Sequence, residues 1–149
     1  MARIEASLVD AGFKVSRDSV SGRQAVIGRT GGLRLGRRQV FVLVAVFKAG
    51  MAGRDHLDRY LDEAGQYAAT VKGGLATGAA AVAVAVVEAG GPGPVDTSWA
   101  ATPPGLKPAA GRALAFPALV DPATGRVVCP EQPRDLRAMT IRAVGLDPG

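Results

Sequence analysis

One cysteine, Cys129, and one histidine, His56, bound the chemistry open to this chain. A zinc centre of the usual Cys/His kind needs several such ligands and cannot be assembled from two. Serine hydrolysis needs a base beside the nucleophile. The only imidazole stands next to Asp55 in an acidic stretch, and Ser7, Ser16, Ser19, Ser21 and Ser98 occupy no Gly-x-Ser-x-Gly elbow. A thiol–imidazole pair is formally open, but Cys129 closes the run Arg126-Val127-Val128-Cys129, where a free cysteine behaves as a small core residue. Asp55, Asp58 and Asp62 repeat at i, i+3 and i+7 and so share a helical face. That face points away from the apolar one that begins at Leu57, and surface carboxylates seldom gather enough ligands for a divalent ion. The residues therefore predict no catalytic set, no metal and no cofactor.

Phosphate-binding loops fare no better. The segment 28–36 is glycine-rich but lacks the Gly-Lys-Ser/Thr ending of a P-loop, and 73–78 follows a helix where a dinucleotide fingerprint must precede one. The charge distribution carries more information. Between Gly12 and Lys48 stand eight basic residues (Lys14, Arg17, Arg23, Arg29, Arg34, Arg37, Arg38 and Lys48) against Asp18 alone. That net of +7 exceeds the +5 of the whole chain. Such a face suits nucleic-acid phosphates. Its aromatics are only Phe13, Phe41 and Phe47, so no stacking platform for bases accompanies it. The competing reading is a basic sheet edge that meets a neighbouring copy or protein partner and resists aggregation. Arg34, Arg37, Arg38 and Lys48, with Trp99, are the expected interaction residues.

The elements that must position these groups follow from periodicity. Ile4, Leu8 and Ala11 mark a helix over 2–11, stopped by Gly12. A short strand over 13–16 and a second over 24–29 flank the turn residues 18–22 and predict a hairpin. The runs 40–47 and 79–88 are apolar on both faces and predict adjacent central strands. In the second, Val82, Val84 and Val86 alternate with Ala83 and Ala85, whose lack of bulk admits a close neighbour, either a helix or a second chain. Between them, Leu57, Tyr60, Leu61, Ala64, Tyr67, Ala68 and Val71 give an amphipathic helix over 54–71. The segment 90–111 holds five of the ten prolines and the lone Trp99, and predicts a long irregular connection with a helical turn near 96–101. Strands over 113–120 and 126–129 flank the turn 121–125, and Pro133 can open a final helix.

The resulting expectation is one α+β domain over 1–149, ordered α-β-β-β-α-β-β-β-α, with a mainly antiparallel sheet and helices on one or both faces. Hydrophobic residues at 48% are enough for a core without disulfides. No charged start leads into an apolar run, and no apolar run approaches membrane-spanning length, so a cytoplasmic protein without membrane contact is expected. The pieces 40–47, 57–61 and 72–78, leading into the Ala/Val strand, resemble an uncharacterised prokaryotic protein family, a resemblance that implies no activity. The element order is similar to that of type III secretion chaperone-like domains, which are often dimeric binding modules. It is also similar to that of restriction-endonuclease-like nucleases, which carry an Asp on the second strand and Glu-x-Lys on the third. Here those strands hold no carboxylate, and only Lys48 follows the third. A non-enzymatic binding or adaptor domain, dimeric, is therefore the leading expectation. A nucleic-acid-binding protein using 12–48 is the alternative, and a degenerate nuclease-like domain comes third.

Overall fold

The computed structural model describes residues 2–20, 22–29, 38–48, 54–71, 78–87, 100, 107–108, 114–121, 126–131 and 134–144. In chain order these form α1 (Ala2–Asp10), β1 (Lys14–Val20), β2 (Arg23–Arg29), β3 (Arg38–Phe47), α2 (Arg54–Val71), β4 (Gly78–Val87), β5 (Lys107–Pro108), β6 (Leu114–Asp121), β7 (Arg126–Val128) and α3 (Arg134–Val144). The predicted α-β-β-β-α-β-β-β-α order is present, with β5 added. That two-residue strand lies inside the stretch expected to be irregular. Of the helical turn expected over 96–101, only Ala100 falls among the described residues, where it is helical and buried.

The strands form one mixed sheet in the order β1-β2-β3-β4-β6-β5, with β7 also on β6. The β1–β2, β2–β3, β5–β6 and β6–β7 pairs are antiparallel, whereas β3–β4 and β4–β6 are parallel. The parallel pairs are the middle of the sheet, and the crossover between β3 and β4 contains α2. This explains the unbroken apolar runs: a parallel strand roofed by helices has no solvated face. Pro117 lies between the stretch of β6 paired with β5 and that paired with β7. A residue without an N–H is tolerated there, because the described residues provide no partner on that side.

Each face of the sheet builds its own core. On one, Leu57, Tyr60, Leu61, Ala64 and Ala68 of α2 cover Phe41, Leu43, Ala45 and Phe47 of β3 and Ala79, Ala81, Ala83 and Ala85 of β4. On the other, Ile4 and Leu8 of α1 and Leu136, Ala143 and Val144 of α3 cover Val40, Val42 and Val44 and the valine row Val82, Val84 and Val86. The alanine row is what lets α2 lie close to the sheet. Tyr60 reaches far enough in for its hydroxyl to be 2.9 Å from the carbonyl oxygens of both Leu43 and Val84, sharing its one hydrogen between β3 and β4. Its ring meets Phe47 edge to face, with centroids 5.1 Å apart. Of the two neighbours left open for the Ala83/Ala85 face, a helix or a second chain, it is the chain's own α2 that covers it: both residues are fully buried.

Candidate interaction surface at the hairpin edge

The hairpin begins where α1 ends. Gly12 adopts φ 91° and its N–H donates to the Val9 carbonyl, so the chain leaves the helix through a left-handed residue and enters β1. Gly22, at φ 71°, serves the turn back into β2. The two strands run in register from Lys14 opposite Arg29 to Val20 opposite Arg23. The strand β1 is longer than the sequence suggested, because Arg17, Asp18 and Ser19 continue the ladder instead of turning.

Burial separates β1 from every other long strand. All ten residues of β4 are buried, whereas in β1 only Val20 is buried, Val15 is half-buried, and Lys14, Ser16, Arg17, Asp18 and Ser19 are exposed. Alternation divides the strand into two rows. Val15, Arg17 and Ser19 lie on the α1 side, where Val15 packs on the core and Arg17 pairs with Glu5. Lys14, Ser16 and Asp18 lie on the α2 side. There the Ser19 N–H donates to Asp18 Oδ1 at 2.8 Å. The Tyr67 phenol of α2 is pushed above its ordinary value by partial burial and then by Asp18, against a smaller opposite pull from Arg29.

Beside the hairpin lies an open cleft of ≈ 570 Å³ lined by Glu5, Arg17, Arg23, Gln24, Ala25, Val26 and Val46. Two of its cations are engaged within the fold. Arg17 bonds Glu5, and the Arg23 guanidinium lies 4.1 Å from the centre of the Phe47 ring, a cation–π contact. The register of β2 on β3 brings Gln24 level with Val46, two residues before the exposed Lys48.

Of the expected interaction residues, Arg38 and Lys48 are described, and they do not share one patch. Arg34, Arg37 and Trp99 lie outside the described residues. Arg38 opens β3 and Lys48 directly follows its other end, about 33 Å away along an extended strand. Lys14 and Arg29 face each other at the Arg38 end of the hairpin, because Arg29 pairs with Phe41. At the other end stand Lys48 and, level with Phe47, Arg23. The described cations of the segment are thus spread over both ends of the sheet, with Arg17 and Arg23 already partnered.

The remaining candidates for chemistry lie apart from the hairpin. His56, Asp55, Asp58 and Asp62 are exposed on α2. No group of His, Cys, Asp or Glu among the described residues converges on a metal position. Cys129 is buried, and burial pushes its thiol up, partly offset by the Arg137 guanidinium, whose Nη1 donates to the Cys129 carbonyl oxygen at 2.9 Å. No described helix is long and apolar enough to cross a membrane. The row Lys14, Ser16 and Asp18 is not among the interaction residues expected from the sequence. Its signal was Lys14-Val15-Ser16-Arg17-Asp18-Ser19-Val20, which carries polar residues at both parities, as suits a strand beyond the helix-covered centre. No family model, curated protein or solved structure matches the chain.

Proposed function

We propose that this protein is a non-enzymatic binding domain that recognises another polypeptide through the exposed β1 edge of its hairpin. The carrying observation is the contrast in burial: a seven-residue outer strand with five exposed polar side chains, on a sheet whose central strands are sealed on both faces. An outer strand offers a row of backbone donors and acceptors to an added strand, and its side chains decide which strand fits. Such a domain needs no cofactor. The buried Cys129 suits a reducing compartment, and cytoplasmic placement belongs to the same reading.

The alternative, nucleic-acid binding by 12–48, is supported by the exposed Lys14, Arg29 and Lys48. It is weakened by their separation and by the engagement of Arg17 and Arg23. A degenerate nuclease-like domain draws on one feature. The cleft beside the hairpin is lined by Gln24 of the second strand and Val46 of the third, with Lys48 at the spacing of Glu-x-Lys, so that neutral side chains stand where that resemblance requires acids.

Titration of the full chain with random-sequence DNA and RNA across a salt series tests the choice. The expected result is no shift even at low salt. Binding with a steep log–log salt slope would instead move the assignment to nucleic acid. In that case, replacing Arg34, Arg37 and Arg38 by Gln would flatten the slope by about three units, roughly one per lost phosphate contact.

A further inference from the structure

Resting on that binding-domain reading, we propose that the polypeptide recognised by β1 is β1 of a second copy, paired antiparallel about a twofold axis through Ser16. A sheet continued across a twofold axis matches like face to like face. Residues directly opposite must therefore come from the same row, Lys14–Ser16–Asp18 or Val15–Arg17–Ser19. This leaves few registers to compare. Centring on Arg17 sets Arg17 against Arg17, a like-charge clash at the axis. Centring on Asp18 repeats the fault with two carboxylates, and centring on Val15 leaves little of the strand overlapped. Centring on Ser16 sets Lys14 opposite Asp18 of the second copy and Asp18 opposite its Lys14, with Ser16 on Ser16 at the axis. In the other row Arg17 then lies opposite Val15, where its methylenes can cover a half-buried side chain.

The row Lys14–Ser16–Asp18 is thus complementary to itself when reversed, and its two ion pairs form only between copies. Within one chain Lys14 faces Arg29, a like-charge neighbour, and Asp18 faces the small Ala25 and the neutral Tyr67 phenol, neither of them a cation. Charges on an outer strand ordinarily deter pairing. A self-complementary pair instead permits one register and penalises its neighbours, which is how charge gives specificity.

The test is the association of the full chain measured by sedimentation velocity and light scattering from about 1 to 100 µM, a range that brackets a modest interface. Wild type is expected to dimerise. Lys14→Asp and Asp18→Lys each turn both ion pairs into repulsions and should weaken association by at least about tenfold. The double variant K14D/D18K re-forms both pairs with the signs exchanged and should recover most of the loss. Ser16→Cys in a Cys129→Ala background should give an oxidised covalent dimer, since equivalent residues meet at the axis. Circular dichroism and urea midpoints check that each variant keeps its fold. A wild type that stays monomeric at 100 µM overturns the proposal, as does a dimer that ignores the single reversals or is not rescued by the double. A dimer of the latter kind leaves the binding-domain reading standing and removes only this register. A salt-dependent shift with DNA or RNA would remove the binding-domain reading itself.

Discussion

At the scale of single residues, Tyr60 joins three elements. Its phenol lies in the core and bridges the carbonyls of β3 and β4, so Tyr60→Phe keeps the packing but removes the bridge. The expected cost is about 1–2 kcal/mol in urea unfolding. Burial raises this phenol far above the ordinary 10.0, more than the contacts with Ala45 and Arg23 lower it. As pH rises through the ordinary tyrosine range, the unfolded chain releases this proton while the folded chain keeps it. The unfolded state then binds fewer protons, so stability is full below that range and falls above it. Urea midpoints should decline between about pH 9 and 11, and less steeply in Tyr60→Phe. Cys129 gives a simpler expectation. A buried thiol pushed upward should react with a disulfide reagent far more slowly in the native protein than in denaturant, with the native rate following unfolding.

At the scale of elements, the sheet owes its shape to side chains that are missing. The Cβ of any residue at position 28 would lie 3.0 Å from Leu8 Cδ2 and 3.2 Å from the Phe13 Cβ. Gly28 is therefore what allows α1 and the start of the hairpin to lie close to β2. Gly28→Val should cost about 1–3 kcal/mol by overpacking, read from the urea midpoint. On the opposite face, α2 is seated on the alanine row of β4. Ala83→Leu should likewise cost about 1–3 kcal/mol, because the space it would fill is already occupied by the helix and its Tyr60. A similar gain of bulk at exposed Ser16 should leave the urea midpoint of the monomer nearly unchanged, since nothing in the described fold packs there.

At the scale of the whole molecule, the sheet is asymmetric. Its centre is sealed by helices, one side ends in the short β5 and β7, and the other ends in the seven-residue β1. If β1 joins two copies, the native state is coupled to association and its melting temperature must depend on concentration. Differential scanning calorimetry across a hundredfold dilution should show the wild-type transition moving to lower temperature. Lys14→Asp should show a smaller movement.

The order of elements and the two sealed strands were determined by the sequence itself, because both are local properties. Glycine stops α1, 54–71 repeats with helical period, and 40–47 and 79–88 lack any polar row, so they had to be central. The division of β4 into an alanine row and a valine row was equally readable from alternation. Which neighbour used the alanine row was not, since a helix of the same chain and a second chain satisfy the same small side chains. Only the fold seated α2 there. The basic segment shows the same limit. Eight cations within 37 residues read as one patch. An extended strand of ten residues carries Arg38 and Lys48 to opposite ends, and packing ties Arg17 to Glu5 and Arg23 to Phe47. Adjacency in sequence fixes neighbours only over a few residues. Beyond that, strand direction and register decide which charges share a surface.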